Sequence, residues 1–281
     1  MGNVLEGPRR ERRRVLAGGV PCWATPHREA LLLDDGRRID EATATYLAPC
    51  EPGKIIAIHL NFQSRLQEFG GGAIDAPSYF YKPPTTLNVH RGLLGRPAGC
   101  EYLNYEGELA VVVGRPMRNL APAETWAALA GFTLANDVGL HDFRDIDRGS
   151  MARVKGMDGF CPLGPGLVSG IDVRGSELRT RLNGTVVQRA SLDELVFGID
   201  ELLADLCRHI TLLPGDVVLT GTPAHSRPMQ PGDVVEVEVD GVGCLSNTVA
   251  EVPAPAHAVG HQPTRSRVVR QVALGSDFTE H

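Results

Sequence analysis

Turn dipeptides cut this chain into short apolar runs, and that punctuation commits it to a fold of many short strands. Asp35-Gly36, Asn183-Gly184 and Asp240-Gly241 each divide strand-forming residues, the pattern of tight hairpins whose turn residues need positive φ. The 32 glycines and 20 prolines in 281 residues exceed ordinary usage and point the same way. Strands are predicted at 54–60, 79–82, 106–113, 132–138, 178–187, 217–220, 234–239 and 244–249. The clearest helix is predicted to start at Ser191, where Glu194 completes a capping box and Leu192, Leu195, Val196, Ile199, Leu202, Leu203, Leu206 and Ile210 share one face. Together these give a mainly β fold with a few helices.

The net charge of −6, from 28 basic and 34 acidic residues, makes nucleic acid an unexpected partner for the body of the chain. Arg9, Arg10, Arg12, Arg13 and Arg14 form one basic run, either a binding tail or a solvated, mobile terminus. The apolar stretch after it is short and broken by Pro21, a poor secretory core, and no run approaches the roughly 20 apolar residues of a membrane helix. Six cysteines without a C-x-x-C pair suit reduced, cytoplasmic usage. The expected organisation is a mobile tail (1–27), a small N-terminal module (28–53), a main domain (54–252) and a C-terminal tail (253–281) that is loose or packs on a partner subunit.

Glu106 and Glu108 flank Gly107 directly before the apolar run 109–113, so a strand pleat points both carboxylates to one side. Either both face water on an edge strand, or a cation lies between them, because like charges so placed repel. Gly107 leaves room for close approach of backbone or ligand. Asp137 ends a second apolar run, where an exposed acid has no packing reason to be. Three carboxylates without nearby His or Cys suit a hard cation, Mg2+ or Mn2+ in catalysis, with Ca2+ an alternative occupant in a crystal. The segment 153–165 holds Lys155 and is too rich in Gly and Pro to be expected as helix.

In this order, Glu106-Gly-Glu108, Asn136-Asp137, the Lys155 loop ending in Pro162-Leu-Gly-Pro165, and Leu219-Thr-Gly221-Thr222-Pro223 resemble the fumarylacetoacetate hydrolase superfamily over roughly 54–250. The resemblance implies a β-roll core, a homodimer and a small oxo-acid substrate. It implies Glu106, Glu108 and Asp137 as metal ligands, Lys155 as the active-site lysine, and Thr222 with Gly221 as the site of substrate oxygen.

Hydrolytic members carry N-Y-x-x-H-x-x-E, whose His and Glu activate water. Here the segment runs Asn61-Phe62-Gln63-Ser64-Arg65-Leu66-Gln67-Glu68, and arginine cannot act as that base. What remains is chemistry that needs a stabilised enolate but no activated water, and Arg65 is then expected to bind a second carboxylate. The stretch from Pro83-Pro84 to Glu108 resembles the homoprotocatechuate isomerase/decarboxylase branch. His141 and Arg144 stand where many relatives have Arg and Gln; Arg144 is a substrate-binding candidate, and His141 is a proton carrier, an anion binder or a structural residue. His59, His90 and His209 are explained by packing or surface positions. The function expected is a metal-dependent decarboxylase or enol–keto isomerase of an unsaturated 2-oxo di- or tricarboxylate. The alternatives are an acylpyruvate-type carbon–carbon bond hydrolase and a silent anion-binding relative.

Overall fold

The structure, a computed structural model, describes residues 7–147 and 149–279. Its centre is the Gly107–Val113 strand, seven consecutive buried residues as expected of a strand covered on both faces. It pairs antiparallel with Leu129–Asn136 on one side and Val217–Leu219 on the other, and the latter runs parallel to Ile55–His59. The pleat sorts its side chains. Leu109, Val111 and Val113 pack toward a five-stranded second sheet through Leu178, Val237 and Leu245. Ala110 and Val112 face the opposite side, toward Met151 and Val154. The expectation of a mainly β fold with a few helices holds.

Several segments differ from expectation, and residues 161–165, expected as part of a Gly- and Pro-rich loop, belong to the strand Cys161–Ser169 that pairs with Leu129–Asn136. Residues 10–27, expected as a mobile tail, form the strands Arg10–Ala17 and Val20–His27, and the first adds to the large sheet along Cys161–Ser169. The basic run is neutralised where it lies: Arg12 pairs with Asp34, Arg13 with Glu11 and Glu41, and Arg14 with Glu51. Apart from Glu11, within the run itself, these acids come from distant positions, so the run read as free charge.

The helix predicted from Ser191 starts later, at Ile199–His209. The Ser191–Glu194 capping box does form, but it closes a single 3-10 turn at Leu192–Glu194. Leu195 then forms an isolated bridge to Phe62 and residues 196–197 bend, because the Val196 and Phe197 amides bond the Asn61 backbone and side chain. Tertiary pairing overrides local propensity here. Finally, residues 253–279 are not a loose tail. The helix Arg267–Leu274 buries Val269 and Ala273 against Tyr102 of its own chain. No helix among the described residues is long and apolar enough to cross a membrane.

Candidate active site

The pairing register builds a carboxylate cluster. Because Gly107 lies opposite Asn136 and Glu108 opposite Ala135, the next position places Asp137 across from Glu106, and directly opposed residues share a face. The Asp137 amide donates to the Glu106 carbonyl at 2.8 Å, extending the ladder by that step. Glu106, Glu108 and Asp137 are all buried, each offering an oxygen within 4.8 Å of the others. Two glycines make room. A Cβ at Gly107 would lie 2.1 Å from Thr180 Oγ1, so the space is taken by the second sheet and not by a ligand. At Gly221, with φ +100°, a Cβ would lie 2.8 Å from Asn61 Cβ, and the freed backbone lets the Gly221 amide donate to Glu108 Oε2 at 2.6 Å.

Three cations ring the cluster. Lys155 Nζ reaches Glu106 Oε2 at 2.7 Å, Asp137 Oδ2 at 3.0 Å and the Asp137 carbonyl at 2.7 Å. Lys82 Nζ, fully buried, reaches Asp137 Oδ1 at 2.6 Å and the Lys155 carbonyl at 2.7 Å. Arg65 reaches Glu106 Oε1 at 3.3 Å and Glu68 Oε2 at 2.7 Å. The electrostatic result is uneven. Burial works against the charge of Asp137, yet Lys155 and Lys82 together hold its carboxyl below the ordinary range. Burial, then the charges of Asp137 and Glu106, push Glu108 well above it, and one backbone amide does not compensate. Three buried carboxylates brought within 4.8 Å of one another form an all-oxygen donor set, which suits a hard divalent ion.

Lys155 is the last residue of the one-turn helix Ala152–Lys155, a stretch expected as non-helical loop. Asp147 caps that turn, accepting from the Arg153 and Val154 amides at 2.6 and 3.0 Å. Burial disfavours the Lys155 ammonium, but Asp137 and Glu106 outweigh it and its pKa is raised. With these two carboxylates beside it, the ammonium form is favoured.

A cavity of about 400 Å³ opens on the cluster, lined among others by Lys155, Thr222, Arg65, Arg144 and His141. Thr222 accepts from Gln188 Nε2 at 3.0 Å, which leaves its own hydroxyl hydrogen to donate into the cavity. Arg144 lies on the wall with NH1 3.1 Å from Met151 Sδ. His141 is 3% exposed, and neither ring nitrogen has a partner among the described residues. Burial first, then the charge of Lys155, lowers its pKa well below the usual value, so the imidazole is neutral. Glu68 does not line the cavity. Arg65 is buried and its charge is already shared between Glu68 and Glu106, so the expectation that it waits for a substrate carboxylate is revised.

Other residues of the site were not singled out from sequence. Lys82 carried a signal: it shares strand phase with Phe80, so a lysine stood at an inward position. Gln188 orders Thr222 and also accepts from the Gly107 amide, and nothing local marks it. His59 was assigned to packing or surface. It stacks on Phe80, with ring centroids 4.6 Å apart, and also lines the cavity. His90 does pack, edge-on to Tyr46, with burial lowering its pKa to about 4.

With this geometry in hand, the comparisons are specific. Residues 54–250 match the family described as fumarylacetoacetate (FAA) hydrolase C-terminal. The chain belongs to the fumarylacetoacetate hydrolase family, and it is an enzyme of that superfamily. It is 34% identical over 242 residues to the 4-hydroxyphenylacetate degradation bifunctional isomerase/decarboxylase of Salmonella dublin, 85% of this chain but 55% of that one, so it spans about half of that relative. It is 31% identical over 222 residues to the mitochondrial oxaloacetate tautomerase Fahd2a of Rattus norvegicus, 75% of this chain and 71% of the relative. The crystal structure of 5-carboxymethyl-2-hydroxymuconate delta-isomerase from Mycobacterium smegmatis superposes with a TM-score of 0.78 at 34% identity, covering 86% of this chain and 99% of that one.

Proposed function

We propose that the protein is a Mg2+- or Mn2+-dependent decarboxylase and/or enol–keto isomerase of an unsaturated 2-oxo di- or tricarboxylate, acting as a homodimer in the cytoplasm. One observation carries the reading. The charge-stabilising half of the site is complete, while the water-activating half is locked. Glu68 is bonded by Arg65 at 2.7 Å and by Arg227 at 2.8 Å, and it accepts the His225 amide at 3.1 Å. Burial opposes its ionisation, yet Arg65 and Arg227 hold its carboxyl below the ordinary range. A carboxylate so stabilised is a weak base, and Arg65 beside it is none. Hydrolysis is therefore poorly served.

The ion would supply a Lewis acid to the 2-oxo group, and Glu106, Glu108 and Asp137 would hold it. Lys155 places a permanent positive charge beside the position where enolate charge develops. The Thr222 hydroxyl donates to a substrate oxygen. In decarboxylation the bond to the leaving carboxylate breaks, its electron pair enters the enolate and carbon dioxide departs. In enol–keto isomerisation the enol oxygen gives up its proton and the neighbouring carbon takes one up, and the enolate left by decarboxylation is protonated at carbon in the same way. Neutral His141, with both nitrogens unpartnered, is the group that carries the proton. Names of relatives support this reading: one is an isomerase/decarboxylase and another an oxaloacetate tautomerase. The full acidic cluster speaks against a silent relative, since buried like charges are costly to keep.

The test is direct. Metal-loaded protein is given oxaloacetate, an unsaturated 2-oxo diacid and an acylpyruvate, and carbon dioxide, enol absorbance and acid products are followed separately. Carbon dioxide release or enol–keto exchange is expected from the diacids, with little acylpyruvate cleavage. Efficient acylpyruvate cleavage alone would replace the proposal with a hydrolase.

A further inference from the structure

The family match ends at residue 250, yet the chain beyond it returns to the cavity. Residues 261–265 are tied down beside the His141–Arg144 segment: Thr264 donates to Asp145 Oδ2 at 2.8 Å and its amide to the Asp142 carbonyl at 2.9 Å. His261 lies 3.2 Å from Asp145 and Arg265 2.7 Å from Glu101. The helix Arg267–Leu274 follows, capped by the Ser266 hydroxyl on the Val269 amide. Its Val269 and Ala273 are fully buried, and Asn104 Nδ2 donates to the Ala273 carbonyl at 2.8 Å. Past the helix, Asp277 accepts from Arg227 Nε at 2.6 Å and Ser276 Oγ from Arg227 NH2 at 2.9 Å. The same guanidinium bonds Glu68, so the arm is joined to the Arg65 rim of the site.

One arm residue, Val272, lines the cavity itself, together with Arg65, Phe69 and Thr222 among others. Val268, one turn earlier, is half exposed on the outer surface. The helix is therefore held at both ends and presents a single branched apolar group to the substrate space.

We infer that Val272, carried by this C-terminal helix, is a specificity-determining residue that limits how far the distal end of a 2-oxo diacid can extend, so the enzyme selects short, unbranched members of that class. The inference rests on the cavity being the substrate site proposed above. A valine cannot pair with a carboxylate, and a polar distal group pushed against it would lose water without gaining a hydrogen bond. Short diacids end before it and keep their carboxylate among the cationic groups.

Calorimetry on Mn2+-loaded full-length protein tests this without turnover, using the five-carbon and seven-carbon unbranched 2-oxo diacids, neither of which carries a scissile carboxylate. Wild type is expected to prefer the five-carbon acid. Val272→Ala should shift the affinity ratio about tenfold toward the longer acid, the scale of a methylene-sized change in an apolar pocket. Val272→Phe should move it the opposite way, and Val268→Ala should leave it alone. Hydrogen exchange at 269–273 should slow when either acid binds. Because Val272 is only partly buried, both variants are expected to fold; should one fail, the other and the exchange measurement still decide. Unchanged ratios in the folded variants, or no exchange protection, with normal binding of the five-carbon acid, would overturn the inference and leave the proposed site standing. If wild type binds neither acid, the site reading fails and the inference falls with it.

Discussion

Glu108 and Glu68 are both screened from solvent at the same site, and their surroundings push them in opposite directions. Glu108 sits on a central strand facing two other acids, with one backbone amide for support, and its pKa rises well above normal. Glu68 sits at the end of the short helix Gln63–Glu68 under two guanidiniums, and its pKa falls. Carboxylates whose environments separate their pKa values have separate tasks. The strand-built acid calls for a cation. The helix-borne acid is a structural anion that fixes Arg65 and, through Arg227, the C-terminal arm.

The largest effect that sharpens this contrast is expected at Lys155. Lys155→Met removes the charge shared by Glu106 and Asp137, and kcat should fall by roughly 10²–10³ or more. The buried ion pairs predict a lower Tm in metal-free protein, since breaking such a pair costs about 3–5 kcal/mol, with divalent metal restoring much of it. Single-turnover rates and melts with and without Mn2+ check both parts. Near-normal kcat would remove the lysine from the chemistry.

Glu108→Gln comes next. It should cut Mn2+ affinity by more than about a hundredfold, because changes to groups that merely support metal ligands already cost tenfold to a hundredfold. The metal-free variant should melt no lower than wild type, as it loses a repelled charge. Glu108 has a folded pKa above its unfolded value, so it binds more protons when folded, and metal-free stability from this group is lost as pH rises from the ordinary carboxylate range toward the raised folded value. Metal replaces the missing positive charge, so the rise in Tm on adding Mn2+ should be larger at pH 8 than at pH 5. Glu68 contributes the reverse slope, its stability being present above the ordinary range and lost on acidification. A Tm increment independent of pH would break the assignment of Glu108.

Legibility in sequence followed the same division. Strand phase is a local property, so Glu106 and Glu108 could be placed on one face from spacing, and strands such as Gly107–Val113 and Val217–Leu219 were predicted nearly to their limits, whereas Cys161–Ser169 was masked by its glycines and prolines. What depends on partners far along the chain was not legible. The basic run at 9–14 is a strand because its acids come from as far as Glu51. The Ser191 capping box closes only one turn because Asn61 captures the residues after it. Lys82 could have been found from its phase with Phe80, whereas Val272 could not, since no pattern in 267–274 says which surface the helix covers.

Arg65 tests the helix-borne side of the comparison. Arg65→His leaves Glu68 to Arg227 and takes one charge from Glu106. Loss of a charge-assisted bond within the protein is worth roughly 1.5–3 kcal/mol, so the Tm should fall, while kcat/KM for the diacid should change less than in the Lys155 and Glu108 variants. Restoring histidine three residues before Glu68 also recreates the spacing of the hydrolytic dyad. With Arg227 still holding Glu68, acylpyruvate cleavage should remain slow, and the double variant with Arg227→Gln should cleave faster. If the single variant already hydrolyses acylpyruvates well, Glu68 is not locked in the way its ion pairs indicate.

The smallest effect is expected where the arm meets solvent. Asp277 is the exposed partner of Arg227, with 65% of its side chain open to water against 14% for the arginine. An ion pair so placed contributes about 0.2–1 kcal/mol, no more than about fivefold in any equilibrium it controls. Asp277→Asn should thus raise the opening of the arm, read as hydrogen exchange at 276–278, by at most that factor, while the Tm of the whole protein hardly moves. The increase should shrink in wild type as salt is raised and approach zero difference from the variant near 1 M, where screening acts over about 3 Å. Exchange at Val269 and Ala273 should stay slow in both, because burial, not charge, holds that part of the helix. Should Asp277→Asn instead free the whole helix, the ion pair and not the apolar contact with Tyr102 would be what keeps the arm on the site.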